Sequence, residues 1–187
     1  MLSPVLAVIA VAIKLDSPGP VFFRQDRVGL YGRPFRIWKF RTMVADPSRP
    51  AMHVSPLGDP LITRVGAVLR RTFLDEWPQL LNVLAGDMSL VGPRPETPEY
   101  VAYYTEEERR TLSVLPGMAG PSTLRYSSVE GALLAGKADP QRYYVEDLLH
   151  ERLALDLAYL DRMSLAYDLR ILIGTAWQCV VSSLTTG

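Results

Sequence analysis

The sequence predicts an α+β fold: a mostly helical single domain with a small β element and an N-terminal re-entrant or interfacial membrane helix, truncated here. Three observations predict it. The chain of 187 residues has the length of one domain, without repeats or a composition break that would mark a boundary. Apolar residues at helical spacing dominate its second half. One aromatic run, residues 35–40, reads as strand between turns at Gly29 and Gly32-Arg33-Pro34. Residues 1–15 stand apart as a membrane-associated segment, and residues 16–187 form the body.

Residues 1–13 carry no charge and are almost wholly apolar. As helix they reach about 20 Å at ~1.5 Å per residue, short of the ~30 Å hydrocarbon core, so they do not span a bilayer alone. No basic residue precedes the run and no small-residue cleavage site follows, which excludes a signal peptide. A core helix, a re-entrant or interfacial segment, and the end of a longer helix remain as readings, with Pro4 a natural kink point. Asp16-Ser17-Pro18-Gly19-Pro20 ends the segment as a rigid turn. Residues 45–60 hold Pro47, Pro50, Pro56, Gly58 and Pro60 and read as a mobile loop. Residues 62–71 and 78–84 read as short helices, the second stopped at Gly86. Proline is tolerated only in a first turn, so the second helix starts just before Pro78, with Asp75 and Glu76 at its N-terminal mouth. Gly92-Pro93-Arg94-Pro95 is a stiff loop. Residues 99–112 read as a charged helix, 116–121 as a turn region, and 147–163 as a strongly patterned helix. Residues 165–184 read as a last, apolar-rich helix containing Trp177 and suited to a core or an interface.

Composition excludes several classes. Lys and Arg (20) balance Asp and Glu (20), which argues against a nucleic-acid coat. The single Cys179 excludes an internal disulfide and reads as a small buried apolar group. His53 and His150 stand far apart with no zinc-like spacing and need no more than surface or packing roles. The motifs of P-loop, dinucleotide-binding, serine-esterase and zinc-protease enzymes are absent.

The residues suited to chemistry centre on Asp75 and Glu76. Two carboxylates at a helix start feel its positive end, which favours their ionised forms and attracts phosphate. An ionised Asp is a competent nucleophile toward phosphorus, and a second carboxylate within reach holds Mg²⁺. The structural alternative is an N-cap followed by a first-turn acid. Arg70 and Arg71 lie upstream and Arg94 downstream, and arginine forks onto phosphate oxygens; surface ion pairs are the plainer role. Arg24, Arg27, Arg33, Arg36, Lys39 and Arg41 are opposed only by Asp26, a local excess of five positive charges interleaved with aromatic residues. That run reads as a surface for anionic headgroups or lipid phosphate, as a nucleic-acid surface, or as a solvated strand face. Asp156 falls at about −20° on a helical wheel, inside the stripe of Leu149, Leu153, Leu160 and Met163, which spans roughly −40° to 40°. A carboxylate there must be paired, with Arg152 one turn away as a structural partner, or it borders a site.

At these residues the chain resembles a known family. Arg64-Val65-Gly66, Leu69-Arg70-Arg71-Thr72, Leu74-Asp75-Glu76-Trp77-Pro78-Gln79-Leu80-Leu81-Asn82-Val83-Leu84 and Gly86-Asp87-Met88-Ser89-Leu90-Val91-Gly92-Pro93-Arg94-Pro95 look like the signature of bacterial sugar transferases, the monotopic polyprenyl-phosphate phosphoglycosyltransferases. Ser17-Pro18-Gly19-Pro20-Val21-Phe22-Phe23 and Trp38-Lys39-Phe40-Arg41-Thr42-Met43 match as well, and the likeness runs over residues 3–172.

The resemblance implies transfer of a phosphosugar from a UDP-sugar to undecaprenyl phosphate with release of UMP. This is the first membrane step of surface glycan or exopolysaccharide synthesis, at the cytoplasmic face of the bacterial inner membrane. It implies Asp75 as a nucleophile forming a covalent phosphosugar intermediate, Glu76 as its metal-associated partner, and Mg²⁺ held by Glu76 and Asp75. Arg70, Arg94 and Lys39 become phosphate-binding candidates, and Asp156 matches a helical acid near the family's site. Membrane lipid is an implied partner and nucleic acid is not. Ser3-Pro4 resembles the kink of the family's membrane helix, whose preceding apolar stretch has no counterpart before Met1. Phe73 and Trp77 stand where Ser and Leu are usual, and 121–126 departs from the commonest continuation, so no particular sugar is implied. A metal-dependent phosphohydrolase and a non-catalytic membrane or nucleic-acid binding module around residues 24–41 are the alternatives.

Overall fold

The computed structural model describes residues 3–45 and 55–184. Its first element is helix α1, Ser3–Asp16. Pro4 stands within the first described turn of this helix. Ile9 and Ile13 are buried against the body, while Val5, Val8, Val11 and Leu15 point outward. One face therefore belongs to the core and the other is bare and apolar. No helix among the described residues is long and apolar enough to cross a membrane.

Strands β1 (Phe22–Val28) and β2 (Pro34–Phe40) form an antiparallel hairpin, with Phe22 opposite Phe40 and Val28 opposite Pro34. The turns expected at Gly29 and Gly32 join them through a short 3₁₀ segment, Leu30–Gly32. Residues 46–54, most of the expected loop and His53, lie outside the described residues. Helix α2 follows as Arg64–Arg71, capped by the Thr63 hydroxyl, which accepts from the Gly66 N–H at 2.9 Å. A 3₁₀ segment, Leu74–Gln79, runs into α3, Leu80–Ala85, which ends at Gly86 with φ 82°. The stop at Gly86 and the start ahead of Pro78 are as the sequence predicts.

Three sequence expectations are corrected. The single helix over 99–112 is two pieces, α4 (Pro98–Val101) and a 3₁₀ segment, Glu108–Ser113. Thr105 and Glu108 form a capping box that starts the second piece: the Thr105 N–H and hydroxyl donate to Glu108 Oε2, and the Glu108 N–H returns to Thr105 Oγ1. The turn region 116–121 contains a strand, β4 (Gly117–Ala119), paired in parallel with β3 (Ser89–Val91). At three residues each, neither strand carries a readable period. Residues 121–143 hold three short helices, α5 (Pro121–Tyr126), α6 (Glu130–Leu134) and α7 (Pro140–Tyr143). The helix expected over 147–163 is a π turn, Tyr144–Leu148, followed by α8, Leu149–Leu160, and the last helix, α9, spans Leu165–Leu184.

Three apolar clusters hold these elements together. The largest joins Val28, Tyr100, Val101, Tyr104, Leu134, Tyr144 and the inner side of α8. A second seats α1 on Phe40 and Leu69, and a third joins β3, β4, α8 and α9 through Val91, Ala119, Tyr159 and Ile171. The exposed face of α9 carries Leu165, Leu169, Ile173, Trp177 and Val180, and Cys179 is only half-buried there.

Candidate active site

The helix that carries the carboxylate pair starts in a strained way. Its cap is Phe73, at φ 56° and ψ 14°. A bulky side chain rarely adopts that conformation, which turns the chain sharply into Leu74. Asp75 and Glu76 thus occupy the first turn rather than the cap. Asn82 pins the following turn to β2: its Oδ1 accepts the Trp38 N–H at 3.0 Å and its Nδ2 donates to the Arg36 carbonyl at 2.9 Å. That buried amide stands in for a strand partner and sets Lys39 against the carboxylates.

Glu76 is the hub. Its Oε1 lies 2.7 Å from Lys39 Nζ and 3.5 Å from an Arg94 guanidinium nitrogen. The three side chains are only 17–23% exposed. Burial alone pushes the Glu76 carboxyl up, but Lys39 and Arg94 outweigh it and hold the group well below the usual carboxylate range. Asp75 is the opposite case. Burial and then the Glu76 charge push it up to about 6, against Lys39 and Arg70. Burial lowers Arg70 and Lys39 from their ordinary values, and the acids beside them counter it. Arg70 Nε donates to Thr42 Oγ1 at 2.9 Å, which turns its guanidinium along the same cluster.

The loop bearing Arg94 is held at each peptide. The Gly117 N–H donates to the Pro93 carbonyl at 2.9 Å, and the Arg94 N–H to Asp156 Oδ2 at 3.3 Å. Arg27 donates to the Pro95 carbonyl at 2.9 Å and to Glu96 at 3.4 Å, and the Val28 N–H donates to the Glu96 carbonyl. Tyr144, set in the π turn, donates to Glu96 Oε1 at 2.7 Å. Asp156 is 2% exposed and also accepts the Ser122 N–H at 3.2 Å and its hydroxyl at 2.8 Å. Burial pushes its carboxyl up to about 6, against those three donors. Arg152 pairs with Glu130, so the partner expected for Asp156 is used elsewhere.

All six predicted site residues therefore meet in one region, but in two layers. Asp75, Glu76, Lys39, Arg70 and Arg94 form the charged cluster, whereas Asp156 touches Arg94 through the backbone. Asp156→Asn turns one acceptor into a donor facing the fixed Arg94 N–H, and turnover is expected to fall on the order of 10–100-fold with the fold retained. Steady-state kinetics beside circular dichroism check this.

The basic run does not form one surface. Arg27 and Arg41 are buried; Arg41 donates to the Pro18 and Ser17 carbonyls, and Lys39 faces Glu76. Arg36 pairs with Asp26, Arg24 lies over the Trp38 ring, and of the six only Arg24, Arg33 and Arg36 are exposed. The hairpin sorts alternate residues to opposite faces, which a charge count over the sequence ignores. Glu96, Tyr144, Ser122 and Asn82 carry no role in the sequence reading, and Arg27, there part of the basic run, instead braces the Arg94 loop.

No group of three or more His, Cys, Asp or Glu side chains among the described residues converges as a metal site. Magnesium asks less: it keeps several waters and binds one or two carboxylates with substrate phosphates. The carboxylates of Asp75 and Glu76 suit that donor set, because a dication would offset both the burial and the Glu76 charge that raise Asp75.

The family described as bacterial sugar transferase matches residues 1–182. The UDP-glucose:undecaprenyl-phosphate glucose-1-phosphate transferase of Caulobacter vibrioides is 41% identical over 189 residues, covering 100% of this chain and 65% of that protein. The exopolysaccharide production protein PSS of Rhizobium leguminosarum is 42% identical over 197 residues, covering 100% of this chain and 89% of its own length. The UDP-N-acetylgalactosamine-undecaprenyl-phosphate N-acetylgalactosaminephosphotransferase of Aeromonas hydrophila is 39% identical over 178 residues, covering 94% of this chain and 39% of its own. The chain thus spans about two thirds of the Caulobacter protein and well under half of the Aeromonas one. The family match takes in every residue of the Asp75 cluster, and the chain belongs to the bacterial sugar transferase family.

Proposed function

We propose that this chain moves a sugar phosphate from a UDP-sugar to a polyprenyl phosphate, in two steps through Asp75. In the first, an Asp75 carboxylate oxygen attacks the sugar-linked phosphorus, the bond to the bridging oxygen breaks, and UMP leaves. In the second, an oxygen of polyprenyl phosphate attacks the same phosphorus and frees the carboxylate, leaving a polyprenyl diphosphosugar. The observation that carries this reading is a half-buried carboxylate, Asp75, in one cluster with Lys39, Arg70 and Arg94. Phosphoryl transfer asks for little else than a placed nucleophile and neutralised oxygens.

Lys39 and Arg94 hold Glu76 ionised, and their remaining donors face phosphate oxygens. Arg70, whose charge acts on Asp75, offers its remaining donors to the same phosphate. Asp75 and Glu76 would hold Mg²⁺, which supplies positive charge to the diphosphate when bound. Membrane lipid is the second partner, at the cytoplasmic face of the bacterial inner membrane. The bare apolar faces of α1 and α9 support it, with Leu15 83% and Trp177 69% exposed. The activities named for the relatives from Caulobacter and Aeromonas support the donor and acceptor classes and differ in the sugar.

Intact mass spectrometry tests the first step. After incubation with Mg²⁺ and UDP-glucose or UDP-N-acetylgalactosamine, the chain is expected to gain the mass of one sugar phosphate. Added polyprenyl phosphate should discharge the adduct and sustain UMP release. Full-rate UMP release without that acceptor and without a mass gain refutes the transferase in favour of hydrolysis.

A further inference from the structure

Helix α1 packs beneath the backbone that carries the charged cluster. Ile9 and Ile13 share one buried cluster with Phe40 and Leu69, and Leu74 packs against it. Phe40 adjoins Lys39, Leu69 adjoins Arg70, and Leu74 adjoins Asp75. Three charged side chains of the site are thus each neighbours of an apolar side chain seated on α1.

Polar contacts repeat the arrangement. The Arg41 guanidinium donates to the carbonyls of Pro18 at 2.6 Å, Ser17 at 2.9 Å and Ile13 at 3.5 Å, closing the end of α1. The next residue, Thr42, accepts from Arg70. Asp16, at the end of α1, accepts the Val65 N–H of α2 at 2.9 Å. The segment 39–42 therefore touches Glu76, α1, the end of α1 and Arg70 in turn.

We propose that α1 is a positioning element of the transfer step, its seat on Phe40, Leu69 and Leu74 setting how Lys39, Arg70 and Asp75 face one another. Ile13, 2% exposed, is the residue through which this acts most directly. The inference rests on Asp75 as nucleophile and goes beyond it by giving the first helix a share in the chemistry. Truncating Ile13 leaves a gap in the cluster that Phe40 and Leu69 share and that Leu74 packs against. Packed interiors do not fill such a gap fully, and an error near 1 Å at a reacting group costs about 10²-fold in rate.

The test compares Ile13→Val and Ile13→Ala with the parent chain in single-turnover adduct formation, UMP affinity and melting temperature. Ile13→Ala is expected to slow adduct formation on the order of 10–100-fold while UMP affinity stays within about twofold. Ile13→Val should slow the step by about two- to fivefold. A lowered melting temperature with an unchanged rate of adduct formation overturns the proposal. If Ile13→Ala does not fold, Ile13→Val decides alone, and an unchanged rate there overturns it equally. A parent chain that never forms the adduct refutes the transferase reading and this proposal together, whereas an adduct formed equally by parent and Ile13→Ala refutes only the role of α1.

Discussion

Asp75→Asn is expected to abolish both the phosphosugar adduct and turnover, by on the order of 10⁴-fold or more, while raising the melting temperature. The amide keeps the shape of the side chain but has no charged oxygen to attack phosphorus. Stability moves the other way because the folded chain holds this carboxyl up at about 6, through burial and the Glu76 charge, above its ordinary 3.8. A raised carboxyl means the folded state binds the extra proton, so its contribution to stability is lost as pH rises from about 4 to 6. The variant lacks that loss. Its advantage in melting temperature should therefore be near zero below pH 4 and full above pH 6, at about 2–4 °C per kcal/mol for a chain of this length. Scanning calorimetry across that range checks it. In the parent chain, adduct formation should fall as the pH drops and the nucleophile takes up its proton. An equal adduct yield in the Asn variant removes Asp75 from the reaction.

Gly66→Ala is expected to cost about 3 kcal/mol of stability and most of the activity. A Cβ at position 66 would stand 2.1 Å from the Thr42 carbonyl oxygen and 2.7 Å from its carbon. The obstacle is backbone, and the same carbonyl accepts the Thr63 N–H at 3.0 Å, so it cannot turn aside freely. Alanine is otherwise favoured over glycine in a helix by about 1 kcal/mol, which sets the preference against the clash; the clash is larger. Helix α2 must withdraw, taking Leu69 from the α1 cluster and Arg70 Nε from Thr42. Chemical denaturation measures the first loss, and turnover at low temperature, where the variant is still folded, measures the second. A variant as stable and active as its parent would show that α2 does not sit this close to residue 42.

These expectations lean on features of unequal legibility. The stop at Gly86, the helix start ahead of Pro78 and the extent of α9 follow from rules about single residues and short periods. Asp156 inside an apolar stripe is legible for the same reason, since a helix brings residues three and four apart to one face. The capping box of Thr105 and Glu108 was legible too, and it divides what charge content alone reads as one helix. Strands β3 and β4 were not, because a parallel pair of three residues each is defined by the partner and not by its own pattern.

The sequence by itself determined the family, the placement of Asp75 and Glu76 at the mouth of a helix, and the stiffness around Arg94. Each depends on covalent limits of proline or on contiguous motifs. Tertiary structure alone decided which charges meet. Lys39 reaches Glu76 from 37 residues away and Asp156 holds the Arg94 N–H from 62, while Arg41, from the same basic run as Lys39, is buried at the end of α1. Local rules set the direction of a side chain relative to its own helix or strand. Which other segment it finds there depends on the packing of the three apolar clusters, a property of the whole chain at once.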